Sequence, residues 1–405
     1  MSLASFFDSL GRDLCSALRA LSRRPAFALT AVLTLALGIG AVTAIFSVVN
    51  AVLIEPLPYP ESERLVSVGH VAPGLSSTEL GMSPAQYFTY RDESRTFEHI
   101  GLWNAGGQSV TGVGEPEQAR ALWVTYGTLQ ALGVQPLVGR LFSEGDDTPG
   151  ADGPDPVILT YAYWQRKFGG DPAVLGRSMT IDARPSAIVG VMPEGFRFLN
   201  LQPDAEIILT MRLDRARTFL GNFGRQGMAK LRAGVTLAEA NAEVARMLPI
   251  CPEAWPDQPQ FTTRQQLESW AIVPTLSPLK DQVVGSVASA LWVLMGTIGA
   301  VLLMACANVA NLMLVRADAR RKELAIRSAL GAGRGRLAKE LFVESFVLGV
   351  IGGAVGFVLA YAGLKLLVAL GPATIPRLDE ISINLVVLAF TVSVSLSSSV
   401  SFRVV

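Results

Sequence analysis

Few side chains in this sequence are arranged for covalent chemistry or for metal binding. The chain has only two histidines, His70 and His99, and it contains no HExxH, GxSxG or CxxC pattern. Glu144, Asp146 and Asp147 offer oxygen ligands, but they lack the spacing and the glycine of an EF-hand loop. We therefore expect a solvated loop at this acidic cluster, no metal site, and no catalytic residue in the chain.

The usual motifs for nucleotides and nucleic acids are also missing from the sequence. No G-x-x-x-x-G-K-[ST] pattern is present, and GAGRGR at residues 331–336 does not complete G-x-G-x-x-G. Lys and Arg together number 34, as do Asp and Glu, so no overall basic field favours DNA or RNA. We expect neither a cofactor in this chain nor a nucleic-acid partner.

One charged segment, RADARRKELAIRSALGAGRGRLAKE, lies between two long apolar runs. Within it, Glu323 and Arg327 are four residues apart, a spacing that stabilises a short helix, and Gly331 or Gly333 suits the end of that helix. Such a helix could lie crosswise to a membrane and bind in the groove of a partner protein. The alternative is that the arginines only set membrane topology.

The runs on either side of this segment are apolar enough to cross a membrane. Hydrophobic residues make up 50% of the chain and the mean hydropathy is +0.39, which is high for a soluble protein. The first three of four apolar runs exceed the roughly 20 residues that a spanning helix needs, and the first is too long for a signal peptide. The fourth is marginal, because it becomes Ser-rich before Arg403.

The distribution of basic residues predicts the orientation of these runs. The charged segment is cytoplasmic by the positive-inside rule, and the loop after the third run, which holds only Arg377, is external. The N-terminal residues, with Arg12, Arg19, Arg23 and Arg24 opposite an apolar face, read as an amphipathic helix on the cytoplasmic surface. The predicted division is 1–24 amphipathic helix, 25–54 first membrane helix, 55–282 external domain, 283–315 second membrane helix, 316–340 cytoplasmic loop, 341–370 third membrane helix, 371–382 external loop and 383–405 fourth membrane helix. On this topology Cys15, Cys251 and Cys306 lie in three compartments, which excludes a disulfide.

The external segment is long enough to fold as a domain and mixes strand and helix patterns. RLVSVGHV, PVILTY, SMTIDARPSAIVGVM and DAEIILTM read as strands, whereas SPAQYFTYRDESRTF and TLAEANAEVARML read as helices. Ser83 precedes the first of these helices, and Thr236 with Glu239 forms a capping-box pattern at the second. CPEAWPDQPQ reads as a surface loop, and Trp103, Trp123 and Trp164 as packed side chains rather than docking sites.

Small and polar residues in the membrane runs predict contacts between helices. Gly349 with Gly353, and Gly352 with Gly356, form two overlaid GxxxG pairs that allow another helix to approach closely. Asn308 lies one turn from Asn311 in the second run, and Glu344 lies about one turn inside the third. Polar side chains at such depth usually face protein. We assign both asparagines to helix packing, together with the glycines.

These features together resemble a known family, the permeases of the MacB and FtsX type. RRKELAIRSALGAGRGRLAKELFVESFVLGVIGGAVG is similar to that family's R-x-x-E-I-x-[IV]-R-x-A-x-G-A motif and its Gly-rich helix. LGVQPLVGRLFSEGDD and YWQRKFGGDPAVLGRSMTIDARPSAIVGVMPEGFRF look like the MacB-like core domain, especially of duplicated orphan permeases. The resemblance covers nearly the whole chain. Permeases of that subgroup continue through a complete fourth helix and a second external domain, so a truncated or frameshifted chain stays open as an explanation for the C-terminus.

The resemblance implies an integral membrane α-helical protein with about four transmembrane helices and a large extracytoplasmic α+β domain. It implies a permease of a type VII ABC system in the bacterial cytoplasmic membrane, which transmits the motion of a separate ATPase that binds the ATP. Arg321, Glu323, Arg327 and Gly331 would form the coupling element. Expected partners are the ATPase, a second permease in a homo- or heterodimer, membrane lipid and a periplasmic adaptor. A membrane-anchored binding or structural protein, a fragment of a longer permease, and a membrane enzyme remain alternatives.

Overall fold

A computed structural model of the chain folds into two compact units. The structure describes residues 18–19, 21–23, 25–151, 153–199, 201, 203–258, 260, 262–285, 287–319, 334–370, 377 and 381–401. One unit, here the helical unit, comprises Met1–Glu55 and Ser286–Val405, and the other, here the α+β unit, comprises Pro56–Gly285.

The helices of the described chain differ in length, with some short and some long. The long ones belong to the helical unit, and α1 ends in a π-helical turn at Asn50–Ile54. In chain order they are α1 (Pro25–Val49), α2 (Pro84–Glu93), α3 (Tyr126–Leu132), α4 (Tyr161–Phe168), α5 (Leu237–Met247), α6 (Ile250–Ala254), α7 (Arg264–Trp270), α8 (Leu279–Val284), α9 (Val287–Ala319), α10 (Arg334–Leu370) and α11 (Leu385–Ser401).

The α+β unit is built on one mixed sheet of 11 strands. The strands are β1 (Leu65–Ala72), β2 (Thr78–Leu80), β3 (Phe97–Thr111), β4 (Glu117–Val124), β5 (Val138–Gly139), β6 (Asp155–Leu159), β7 (Ser178–Ile181), β8 (Arg184–Val191), β9 (Ile207–Thr210), β10 (Gln226–Leu231) and β11 (Val273–Pro278). Their order is β11-β1-β10-β3-β4-β9-β6-β8-β5, with β2 beside β1 and β7 beside β3 and β8. β4 runs parallel to β9, and β6 parallel to β8.

Local sequence accounts for several of these elements. The helix start predicted at Ser83 and the capping box predicted at Thr236 are confirmed, since the Ser83 hydroxyl accepts a hydrogen bond from the backbone of Gln86, and Thr236 accepts one from Glu239. Asp182 and Ala183 both have positive φ and link β7 to β8, as a tight two-residue hairpin requires. Apolar side chains on one face of the sheet pack against α2, α4 and α5, and those on the other face pack against α3 and α8, which gives the unit its own core.

The predicted fold class is confirmed for the described residues. Three helical segments are long and apolar enough to cross a membrane, at Pro25–Ile54, Val287–Val315 and Val343–Leu370. The fourth, α11, is shorter at 17 residues. α9 ends at Ala319 and α10 begins at Arg334, so both helices extend into the segment 316–340 that was predicted as a loop. Both continue past the apolar runs into charged sequence.

The surface loop expected at CPEAWPDQPQ is wrong in its first half, because α6 forms there and buries Cys251 and Trp255, whose indole donates a hydrogen bond to Thr89 at 2.9 Å. The amphipathic helix expected at 1–24 lies outside the described residues, apart from a helical pair at Leu18 and Arg19 and the short stretch 21–23.

Candidate functional site: the packed membrane helices

The residues assigned to coupling lie outside the described part of the chain. Arg321, Glu323, Arg327 and Gly331 all fall between the end of α9 and the start of α10. Both flanking helices are described, so their contacts show which elements adjoin this segment of the chain.

α10 meets α1 through glycine. A Cβ atom added to Gly40 of α1 would lie 2.8 Å from the carbonyl oxygen of Gly356, and one added to Gly356 would lie 2.8 Å from the carbonyl oxygen of Ala36. These separations leave no room for a side chain, so the two backbones are in direct contact. The close approach expected from the GxxxG pattern thus occurs with α1 of the same chain.

Two other glycines of α10 face side chains of α1 and α11. A Cβ atom on Gly352 would lie 2.9 Å from Cβ of Leu35 in α1, and Gly353 faces the hydroxyl of Ser395 in α11. Gly349 is buried within α10. The glycine-rich face therefore lets α10 pack against α1 and α11 at once.

α1 is the central helix of the unit. Leu35 and Ile39 are fully buried, in a cluster with Leu302 and Val309 of α9 and Val347 of α10. Because side chains from both other long helices cover α1, we expect the three to move as one body.

α11 adds polar and aromatic contacts to α1. The hydroxyls of Thr43 and Thr391 are 3.1 Å apart in a buried hydrogen bond, and the rings of Phe46 and Phe390 stack with their centroids 3.9 Å apart. Hydrogen bonds between buried hydroxyls help to fix helix pairs where water is excluded.

The two asparagines are placed differently from the glycines. Asn308 and Asn311 are exposed in this chain, whereas Cys306 and Val309 of α9 are buried against α1. Each asparagine follows one of these buried residues by two positions, about 200° around a helix of 3.6 residues per turn. Because both asparagines lie on the face of α9 opposite to α1, their assignment to helix packing stays a prediction that concerns a neighbour outside the described helices of this chain.

A polar cluster at one end of α1 was not anticipated from the sequence. Glu55, the first residue after the π-helical turn, accepts hydrogen bonds from the side-chain amides of Asn50 at 2.8 Å and Asn384 at 2.6 Å. The Arg377 guanidinium donates to the backbone carbonyl of Glu55 at 3.0 Å. The only hint in the sequence was an asparagine near the end of an otherwise apolar run. We call Asn50, Glu55, Arg377 and Asn384 the Glu55 cluster.

The α+β unit shows no arrangement for catalysis or metal binding among its described residues. No group of three potential metal ligands occurs there, and Nε2 of buried His70 lies 2.8 Å from the Tyr90 hydroxyl, while His99 is half-buried on β3. In the acidic cluster, Asp146 pairs with Arg140, and Asp147 accepts backbone hydrogen bonds from Tyr126 and Arg212. These carboxylates therefore hold the loop in place.

The free cysteines Cys251 and Cys306 are buried, as is Trp164, while Trp103 and Trp123 are half-buried.

Two family descriptions match most of the chain. Residues 28–247 match the MacB-like periplasmic core domain, and residues 295–404 match the FtsX-like permease C-terminal domain. The first match begins inside α1 and covers the strands up to β10, and the second covers most of α9 together with α10 and α11. Each match therefore includes residues of the apolar helices, and each contains the stretches whose sequence resembles the same family.

Similar proteins of known name cover part of their own length. The chain is 38% identical over 232 residues to the ABC transporter permease YknZ of Bacillus subtilis, covering 57% of this chain and 54% of the relative. It is 26% identical over 225 residues to the pyoverdine export ATP-binding/permease protein PvdT of Pseudomonas syringae pv. tomato, covering 55% of this chain and 32% of the relative. The match therefore spans about half, or less, of these relatives.

Among solved structures, the periplasmic region of MacB from Actinobacillus actinomycetemcomitans aligns with 12% identity and a TM-score of 0.35, covering 47% of this chain and 84% of that one. The family matches do not depend on this alignment, since together they cover both units of the chain. With an FtsX-like domain at the packed helices and a MacB-like core domain on the sheet, the chain belongs to the MacB/FtsX-type ABC transporter permeases.

Proposed function

We propose that this chain transmits motion from a separate ATP-hydrolysing subunit to its α+β unit, for export or for remodelling of the cell envelope. In this mechanism no substrate passes between the helices. The chain lies in the bacterial cytoplasmic membrane with its N-terminus and the 320–333 loop in the cytoplasm, and the α+β unit outside. It acts with an ABC ATPase and as a homo- or heterodimer of permeases, and a periplasmic adaptor can join the external unit.

The observation that carries the proposal is the direct backbone contact between Gly40 of α1 and Gly356 of α10. α10 begins immediately after the 320–333 loop, and α1 leads through Glu55 into Pro56, the first residue of the α+β unit. A displacement of the loop therefore moves α10, then α1 across the glycine contact, and then the chain that enters the sheet. Close packing makes this path stiff, because no side chains lie between the two backbones to adjust.

Within the loop, Arg321, Glu323 and Arg327 supply the charges that bind the ATPase, and Gly331 ends the short helix that carries them. Opposite charges on one helical face give a partner groove both register and orientation. These roles rest on the sequence resemblance and on the place of the loop between α9 and α10.

The test is affinity purification of the tagged chain from membranes in mild detergent, followed by mass spectrometry and an ATP hydrolysis assay. The test variant reverses both charges, Glu323→Arg with Arg327→Glu. The matched control reverses an ion pair of the α+β unit at a similar spacing, Asp214→Arg with Arg217→Asp, in which Arg217 is exposed and Asp214 is half-buried. We expect an ABC ATPase to be recovered with the wild type and the control and lost with the test variant, while membrane insertion is unchanged in all three. An ATPase retained by the test variant would refute the coupling role.

A second candidate function is a membrane-anchored binding protein that works without an ATPase. A cavity of about 460 Å³ in the α+β unit favours it, with an apolar lining that includes Leu220, Leu248 and Leu267, and charged residues such as Glu253 and Arg264. Ligand pockets of this size and composition are common. This alternative predicts that no ATPase is recovered with any variant and that the external unit binds its ligand whatever stands at Glu323.

A further inference from the structure

The Glu55 cluster brings together three parts of the helical unit that are far apart in the sequence. Asn50 belongs to the π-helical turn at the end of α1, Arg377 to the segment after α10, and Asn384 to the start of α11. Asn50 and Arg377 are only 3% and 7% exposed, whereas Glu55 and Asn384 are half-buried. Hydrogen bonds to a carboxylate are among the stronger ones in proteins, and a partly buried acceptor that loses its donors is destabilised.

Asn384 performs two tasks with one side chain. Its amide nitrogen donates to Glu55, while its Oδ1 accepts a hydrogen bond from the backbone N–H of Val387 at 3.0 Å and so caps α11. The orientation of this side chain is therefore fixed at both ends. The first turn of α11 is tied to Glu55 by a group that cannot rotate without losing its cap.

Asn50 also binds Glu55 twice. The backbone carbonyl oxygen of Asn50 accepts a hydrogen bond from the backbone N–H of Glu55 at 2.8 Å, which closes the π-helical turn. The side-chain amide of Asn50 donates a hydrogen bond to the Glu55 carboxylate. π-helical turns are rare and frequently mark functional sites. Here the turn directs the Glu55 side chain toward α11.

Glu55 is the last residue of the helical unit, and the next residue is a proline in the α+β unit. Its backbone is extended, with φ −61° and ψ 136°. Any movement that reaches the α+β unit through α1 therefore passes through this residue. α1 and α11 are already in contact along their length through Thr43 with Thr391 and Phe46 with Phe390. The cluster is the last contact of that series.

We infer that Glu55 is a positioning residue that fixes the start of α11 to the end of α1, so that the two helices move together where the chain enters the α+β unit. This role rests on the proposed transmission of motion. The sequence alone does not indicate it, because more than 300 positions separate Glu55 from Arg377 and from Asn384, and only the fold brings them together.

The test measures the distance between two spin labels in the full-length chain in lipid nanodiscs, without any ATPase. The labels are attached to cysteines at Leu37 of α1 and Leu385 of α11, which are 64% and 79% exposed, in a background without the native cysteines. The main variant is Asn384→Asp, which keeps the acceptor that caps α11 but sets a second carboxylate against Glu55. The compensating variant combines it with Glu55→Gln, whose amide can donate to the new carboxylate.

We expect one narrow distance population for the wild type and for Glu55→Gln alone, since glutamine keeps the acceptor oxygen. Asn384→Asp and Glu55→Ala should each lose that population in favour of a broad, longer one, and the double variant should recover it. Thermal unfolding of each variant shows whether the fold is kept. An unchanged distribution in Asn384→Asp or Glu55→Ala, or a double variant as broad as Asn384→Asp, would overturn the inference. Because no ATPase is present, this result is independent of the purification experiment on Glu323 and Arg327.

Discussion

At the scale of single residues, His70 gives the α+β unit a defined response to acid. Its side chain is 1% exposed, and burial lowers its pKa from 6.5 to about 4. Between these values the unfolded chain binds a proton that the folded chain does not, so the free energy of unfolding falls as the pH drops from 6.5 toward 4. The difference between these two pKa values limits this loss to about 3 kcal/mol.

The measurement is urea unfolding of the detergent-solubilised chain, followed by tryptophan fluorescence at pH 7.5 and pH 4.5. His70→Gln should flatten the pH dependence, because glutamine can still bond the Tyr90 hydroxyl but does not titrate in this range. His99→Gln is the control, since this half-buried histidine should contribute less. Equal pH dependence in the wild type and His70→Gln would contradict the assignment.

At the scale of elements, the contact between α1 and α10 should tolerate no added methyl group at its centre. Gly356→Ala places a Cβ atom against the backbone of α1, whereas Gly363→Ala, also on α10, meets no atom within 4 Å. Overpacking of this kind costs about 1–3 kcal/mol, while alanine in an open helical position is slightly favoured over glycine.

Thermal unfolding of the two variants in the same detergent tests this expectation. Gly356→Ala should lower the midpoint, and Gly363→Ala should leave it unchanged or raise it slightly. The comparison cancels the intrinsic helix preference of alanine, because both substitutions are the same and both lie on one helix. Equal midpoints would show that α1 and α10 separate at no cost.

The elements themselves were largely predictable because their signals are local. Ser83 and Thr236 mark the starts of helices through backbone groups three residues away, and the long apolar runs correspond to α1, α9 and α10. α6 was missed because Pro252 and the polar residues after Ala254 read as a turn, while the burial of Cys251 and Trp255 depends on contacts with α2.

The candidate site was predictable only in part, for the same reason. The glycines of α10 could be recognised as a close-packing face, yet the sequence did not say that the neighbour is α1. Asn308 and Asn311 could be recognised as polar residues in a membrane run, but their face depends on which stripe of α9 covers α1. The Glu55 cluster depends entirely on the tertiary fold.

At the scale of the whole molecule, contacts within the single chain do not explain the polar residues on the exposed face of α9. α9 is the least covered of the three long membrane segments, and it carries Asn308 and Asn311 on its exposed face. An asparagine facing lipid costs free energy that a hydrogen-bonded partner recovers, so this face favours protein over lipid as its neighbour. A second permease is the partner that the proposed dimer supplies.

Cysteine cross-linking in native membranes tests this last prediction. We expect Asn311→Cys, in a background without the native cysteines, to form a covalent dimer on mild oxidation, because a symmetric interface brings the same residue of both copies close to the axis. The control is Val358→Cys on α10, which is also exposed, at 64%, but has the exposed apolar side chains of Val355 and Leu359 beside it, which lipid can cover. Cross-linking at position 358 and none at 311 would place the dimer on another surface and leave the α9 face to a different membrane subunit. In the proposed transmission of motion, an interface at α9 also has a mechanical consequence. The helix that enters the 320–333 loop would then be held between α1 of its own chain and the second permease.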